Sequence, residues 1–220
     1  MINIPQESIL LAEETGIHIG DGHMNIYPTS CAYSYCGHAK DDLNLSDYVR
    51  EIMKKLYGLN PSSEKIHTNT KYLIYSKKEL IKIKQELGLP LGKKDNIQIP
   101  NWIMGNEEYK LACVRGLFAT DGYLQFQKKY KKINYYPQLK ITSKSEKLIS
   151  QVELIINNLE INTSICKEKI SLPRRPNHIW NIYWYGTKNL DKFIKNIGFL
   201  NIKHQKRHTK WIKNYVGDGI

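Results

Sequence analysis

Two stretches of the chain, one hundred residues apart, carry matching residues at matching places. Leu11–Gly22 reads LAEETGIHIGDG and Leu111–Gly122 reads LACVRGLFATDG. Leucine, alanine, glycine and the closing Asp-Gly coincide. An internal repeat constrains the fold strongly, because each copy must form a similar unit that buries its apolar face against a neighbour. On a helix, Ala12, Gly16 and Gly20 fall on one face, as do Ala112, Gly116 and Thr120. Glycine inside a helix costs about 1 kcal/mol relative to alanine, so Gly16 and Gly116 at matched positions call for a packing reason. Small-residue stripes let two helix backbones approach closely. The two stretches are therefore expected to pack side by side as helices.

The match continues downstream with small shifts. Each Asp-Gly leads into a strand-like run, MNIY from Met24 and YLQF from Tyr123, then a second, AYSYCGH from Ala32 and PQLKITS from Pro137. Helical stretches follow near Ser46–Tyr57 and Lys144–Leu159. Two more strand-like runs close each half, the last passing into a helix at YLIYSKKELIKI from Tyr72 and IYWYGTKNLDKFI from Ile182. The expected class is α+β, with two αββαββ-type repeats related by a pseudo-twofold axis and two antiparallel sheets. The N-terminal half is placed at 1–88 and the C-terminal half at 107–220. A linker over 89–106 contains Gly92, Pro100 and Gly105, which argue against one continuous helix. After Gly198 the tail is strongly basic: Lys203, His204, Lys206, Arg207, His208, Lys210 and Lys213.

Asp21 and Asp121 lie one residue beyond the small stripes. Packed helices would bring them together at two helix C-termini, where the dipole already places partial negative charge and the carboxylates repel. A divalent cation resolves both difficulties, and aspartate oxygens suit magnesium or manganese. The carbonyls of Gly20 and Thr120 could add ligands. Gly22 and Gly122 are expected to end their helices in the left-handed conformation. An isolated Asp-Gly usually marks only a turn; two, each behind the same stripe, point to a shared metal site.

The charge balance agrees with a polyanionic partner: 33 Lys plus Arg against 21 Asp plus Glu, net +12. No apolar run is long enough to span a bilayer, and the N-terminus lacks the pattern of a secretory signal. The expected location is intracellular, cytoplasmic or organellar, with no membrane partner. Cys31, Cys36, Cys113 and Cys166 do not suggest a disulfide framework, and Cys31, Cys36 and His38 lack the pairing of a zinc site. His18, on the first motif helix, is expected to be packed rather than catalytic.

The segments ETGIHIGDG at Glu14–Gly22 and VRGLFATDG at Val114–Gly122 resemble the signature of the LAGLIDADG homing endonucleases, and the element order is similar over nearly the whole chain. The double motif resembles the freestanding, single-chain type, which implies a monomer with no obligate protein partner. The resemblance implies two sheets forming a saddle over double-stranded DNA. It implies cutting of both strands across the minor groove to leave short 3′ overhangs, with Asp21 and Asp121 as metal ligands. Members also use basic residues near the metals. Aligning LGLPLGKKDN with IGFLNIKHQK sets Lys93 or Lys94 opposite Lys203 or His204, and Lys94 and Lys203 are the choice. Glu14 and Val114 depart from the first leucine of the signature, and Thr120 replaces a smaller residue. Some relatives act instead as intron RNA maturases or transcription regulators. That makes a non-cleaving nucleic-acid binder the alternative, and intron RNA a second candidate partner. An endonuclease domain from an intein is a third reading, weakened by the start at Met1.

Strand alternation assigns the DNA-reading face. Gln125, Gln127 and Lys129 lie opposite Leu124 and Phe126; Gln138, Lys140 and Thr142 lie opposite Leu139 and Ile141. The first-half counterparts are Asn25, Tyr27 and Ser34. Their polar groups suit base edges and phosphates. Arg174 and Arg175, between prolines, are assigned to phosphate contact.

Overall fold

The computed structural model describes residues 2–129, 133–172 and 175–215; the side chains of 170–177 and 215 are outside the description. In chain order the first half runs α1 (Ile9–Asp21), β1 (Gly22–Ile26), β2 (Cys31–His38), α2 (Leu43–Tyr57), β3 (Ser63–His67), β4 (Thr70–Tyr75) and α3 (Lys78–Glu86). A short α4 (Asn101–Met104) follows. The second half is α5 (Glu107–Asp121), β5 (Gly122–Gln127), β6 (Tyr136–Ser143), α6 (Glu146–Asn157), β7 (Ser164–Leu172), β8 (Arg175–Tyr185) and α7 (Thr187–Asn196). A last helix, α8 (Ile202–Tyr215), covers what sequence alone marks only as a basic tail.

The strands form two four-stranded antiparallel sheets, ordered β1-β2-β4-β3 and β5-β6-β8-β7. The expected repeat is thus present, down to register. Gly22 pairs with Tyr35 and Met24 with Tyr33; their counterparts Gly122 and Leu124 pair with Ile141 and Leu139. The next strand repeats the match, Tyr33 with Tyr75 and Leu139 with Trp184.

Each sheet buries one face under helices, as period-two alternation demands. The second-half face is conventional: Leu124, Leu139, Ile141, Ile182 and Trp184, with Phe118 and Phe193 above. The first-half face is built from Met24, Tyr33, Tyr35, Leu73 and Tyr75, all buried. That tyrosine layer surrounds a fully buried ion pair. Lys84 of α3 (0 % exposed) meets Glu14 of α1 (1 % exposed) at 2.5 Å. The Tyr57 hydroxyl also donates to Glu14, at 3.1 Å, and the Lys84 ammonium lies 4.5 Å from the Tyr33 ring centre. A charge buried this way requires a paired, hydrogen-bonded partner. Glu14, the departure from an apolar signature position, is therefore matched by a lysine seventy residues away.

Between the halves, Ile97, Ile99 and Ile103 are buried. Pro100 stands at the N-cap of α4, where a missing N–H costs nothing.

Candidate metal and nucleic-acid site

Helices α1 and α5 form the centre of the molecule. Ser8 and Asn106 cap their N-termini, each accepting a backbone N–H at 3.2 Å. The contact between them is reciprocal. A Cβ on Gly16 would run into the Cys113 carbonyl, and one on Gly116 into the Glu13 carbonyl, with Ile17 N at 2.9 Å. One step on, a Cβ on Gly20 would overlap the Thr120 hydroxyl. The Thr120 hydroxyl donates to Leu117 of its own helix at 2.9 Å. The larger residue in the second stripe is thus accommodated by a glycine in the first. Arg115 of α5 reaches across to pair with Glu13 of α1, which also accepts from the Tyr48 hydroxyl.

The helices end at Asp21 and Asp121. The expectation of a left-handed glycine after each is overturned: Gly22 has φ −79° and ψ 150°, and Gly122 has φ −81° and ψ 151°. Glycine is needed there for proximity. A Cβ at Gly22 would sit 2.7 Å from His18 Cα, and one at Gly122 would strike the Phe118 carbonyl. The chain turns directly from helix into strand, folding back over the last helical turn.

Both aspartates are half-buried. Burial, then the charge of Asp121, pushes the Asp21 carboxyl up to about 7 against the opposing pull of Lys94. Burial likewise pushes Asp121 up to about 6, opposed by Lys94 and Lys203. Burial thus opposes ionisation of both carboxyls, and a cation held between them would offset that cost.

Lys94 enters from the segment between the repeats. Its ammonium donates to the carbonyls of Ile19 (3.0 Å), His18 (3.4 Å) and Gly20, covering the C-terminal end of α1. Burial pulls its pKa down, against the attraction of Asp121 and Asp21. Lys203, at the start of α8, is held differently: its ammonium donates to Asp42 at 2.9 Å. Asp42 also accepts from Asn201 Nδ2 (2.7 Å) and the His38 amide (2.9 Å), and Asn201 bridges on to the Ala119 carbonyl at 3.0 Å. Burial would raise the Asp42 carboxyl, but these hydrogen bonds outweigh it and hold it below the usual value. Sequence reasoning missed Asp42 and Asn201, whose pairing spans 159 residues. His18 is buried and stacked on Tyr33 at 5.2 Å; burial, reinforced by Lys84 and Lys94, keeps it neutral.

A cleft of about 670 Å³ opens beside this centre, and Gly20, Asn25, Lys94, Asp121 and Thr142 all line it. Five residues singled out from sequence therefore converge on one space. Among the described residues no group of three or more His, Cys, Asp or Glu side chains is arranged to hold a metal. The donor set still fits magnesium, which takes one or two carboxylates and completes its shell with water and substrate phosphate. The upward-shifted carboxyl pair is the observation that favours it. Gly20's carbonyl already accepts from Lys94, which leaves it one lone pair for a cation.

The polar sheet faces are as alternation predicts at most positions. Gln125, Gln127, Gln138, Lys140 and Thr142 share one face of the second sheet, opposite buried Leu124, Leu139 and Ile141. Gln138 is the hub: its Oε1 accepts from Gln125 and from Gln127 (2.7 Å), and its Nε2 donates to Tyr185 at 3.0 Å. Thr142 donates to Asn181 at 2.7 Å. Buried Asn181 and the tyrosines Tyr183 and Tyr185 complete this face from β8; the sequence reading missed the tyrosines because they stand in the run IYWY beside Ile182 and Trp184. Asn25 and Ser34 share the first-half face with His23, also missed. Tyr27 and Lys129 lie just past strand ends; Tyr27 is exposed in a turn closed by Ser30, and Lys129 lies over the Tyr136 ring at 4.1 Å. Arg174 lies outside the described residues, as does the side chain of Arg175.

With this geometry in place, likenesses to known proteins become informative. Residues 108–198 match the family model described as a LAGLIDADG-like domain. I-DmoI in complex with DNA and manganese superposes with a TM-score of 0.57 at 18 % identity, covering 86 % of this chain and 96 % of that one. The N-terminal LAGLIDADG domain of DUF199/WhiA gives 0.57 at 16 %, covering 89 % and 85 %. A curated relative, the replication factor C small subunit of Methanocaldococcus jannaschii, is 25 % identical over 206 residues, 93 % of this chain. The chain spans only about a tenth of that relative's length. The second half thus carries a LAGLIDADG-like domain, and the two repeated units together have the double-motif LAGLIDADG fold.

Proposed function

We propose that the chain is a site-specific double-stranded DNA endonuclease of the homing type, working as a monomer because both motif aspartates come from one chain. The observation that carries this reading is the pair of half-buried carboxyls, Asp21 and Asp121, at two abutting helix ends beside a lysine-lined cleft. A nucleic-acid binder without chemistry has no need of two adjacent carboxyls whose burial opposes ionisation.

Asp21 and Asp121 would hold a divalent cation, magnesium or manganese, with the Gly20 and Thr120 carbonyls as supplementary donors. When bound, the cation would lower the pKa of a coordinated water and offset charge on the phosphate. Lys94 presents its ammonium to the same cleft, where it stabilises charge developing on phosphate and leaving oxygen. Lys203 supplies a second positive charge near the aspartates, oriented by Asp42 and Asn201. The polar faces of the two sheets hold the duplex. Gln125, Gln127 and Asn25 offer amide groups to base edges, the two glutamines held by the buried Gln138 of the same face, and Lys140 and Lys129 meet phosphate.

The test is to incubate the chain with magnesium or manganese and plasmids carrying fragments of source DNA, then map any cut ends. Paired cuts leaving short 3′ overhangs, abolished by Asp21→Asn or Asp121→Asn, are expected. Duplex or intron-RNA binding without cleavage in either metal would replace this reading with that of a non-cleaving binder.

A further inference from the structure

The basic C-terminal helix is not explained by the carboxylate centre or by the sheet faces. It packs along β5, the edge strand of the second sheet. Edge strands expose unpaired backbone groups that must be covered or blunted. Here Arg207 donates to the Leu124 carbonyl at 3.2 Å and lies over the Tyr123 ring at 4.8 Å. Trp211 stacks on Phe126 at 5.2 Å, nearly parallel, while its indole N–H donates to the Tyr135 carbonyl at 2.7 Å. In the first half the matching carbonyl, Met24, accepts from the Gly92 amide at 2.8 Å. The segment between the repeats and α8 therefore do the same job at equivalent edges.

Their chemistry differs. Near Met24 the cleft mixes Lys93 and Lys94 with Asp95. Helix α8 has no acidic residue: Lys203, Lys206, Arg207, Lys210 and Lys213 are all positive. Lys206, Lys210 and Lys213 are exposed on one face, and among the described residues none has an ion-pair partner. A helix that was merely solvated would gain from acids at i+4, and like charges at that spacing repel. A groove of about 330 Å³ runs between α8 and β5, lined by Tyr123, Gln125, Asn134, Arg207, Lys210 and Asn214. Tyr123 and Gln125 belong to the polar sheet face, so the groove continues that face beyond its edge.

We propose that α8 and the β5 edge form a phosphate-binding rail for duplex DNA, flanking the second sheet on one side only. The proposal rests on the DNA-binding reading above. Arg207 both blunts the edge and presents its guanidinium to the groove; Lys206, Lys210 and Lys213 follow the backbone past it. Among the described residues the matching edge of the first half carries no such acid-free basic helix, so duplex contact extends further on the side of the second half.

The experiment compares the full chain with a variant carrying Lys206→Gln, Lys210→Gln and Lys213→Gln, and with one carrying Lys→Arg at the same three positions. Duplex affinity is measured across a salt series, on target and unrelated sequences, with hydroxyl-radical footprinting on the target. Each phosphate neutralised contributes about 0.9 to the slope of log K against log salt, so the glutamine variant is expected to be less steep by about 2.7. Weakening should be equal for target and unrelated DNA, protection should shorten on one flank only, and the arginine variant should keep the wild-type slope. An unchanged slope and footprint, with wild-type binding intact, overturns the rail and leaves the endonuclease reading standing. Loss of binding in the arginine variant as well would make the lysines packing residues and also overturns it. If the wild-type chain binds no duplex, both readings fall together.

Discussion

Replacing Asp21 with asparagine should stabilise the metal-free protein above neutral pH, and the structure sets the size of the effect. Burial and the Asp121 charge move the Asp21 carboxyl from 3.8 to about 7. The folded protein therefore holds this proton more tightly than the unfolded chain does, so stability falls as pH rises from about 4 to about 7 and the loss is complete above that. At 1.36 kcal/mol per tenfold change in proton affinity, the loss is on the order of 4 kcal/mol. Partial exposure of the carboxyl lowers this to roughly 2–4 kcal/mol at pH 8. Asparagine preserves the shape without the charge. In a chelator at pH 8, Asp21→Asn should melt roughly 4–16 °C above the wild type, given about 2–4 °C per kcal/mol for a chain of this size. The gap should close towards pH 4. Millimolar magnesium should raise the wild-type Tm and leave the variant nearly unmoved. Thermal denaturation by circular dichroism over pH 4–8, with and without magnesium, checks all three. A variant less stable than wild type at pH 8 without metal, or a gap independent of pH, refutes the assignment of burial and charge repulsion at this pair.

Gly116→Ala should destabilise by at least about 1–3 kcal/mol, since its Cβ meets the Glu13 carbonyl and neither helix can retreat alone. Gly105→Ala, with nothing closer than 3.7 Å, should be nearly neutral in the same chemical denaturation series. Lys84→Met should cost about 3–5 kcal/mol by leaving Glu14 buried without its partner, whereas Lys84→Met with Glu14→Leu should recover most of that loss in urea titrations. Gln138→Ala should relax base preference by about 1–3 kcal/mol at the pairs that Gln125 and Gln127 face, because both amides hydrogen-bond to it. Binding to single-base variants of a target measures this, and uniform weakening over all of them would reassign Gln125 and Gln127 to backbone contact.

Much of the site is legible in the chain because local rules place it. The four-residue spacing of Gly16 and Gly20 sets a helix face, and the period of two from Gln138 to Thr142 sets a strand face. Local rules failed where residues serve through-space partners. Gly22 looked like a helix cap, but its glycine is required by the nearness of His18. Tyr183 and Tyr185 stand in the run IYWY, where nothing local marks a polar face; pairing with Lys140 and Gln138 puts them there.

By itself the sequence determined the duplication, the pairing of the two motif helices, the order of elements and the two aspartates at the helix ends. Those follow from short-range periodicity repeated twice, which survives in any fold the chain can adopt. Only the tertiary structure decided what surrounds the aspartates. It gave Lys94 to the carbonyls of α1, bound Lys203 to Asp42 across 161 residues, and answered a buried Glu14 with Lys84. It also turned a basic tail into a helix closing the edge of a sheet. These partners are distant in the chain and follow no period. They meet only because packing two similar but unequal halves leaves particular charges, carbonyls and strand edges that must be satisfied.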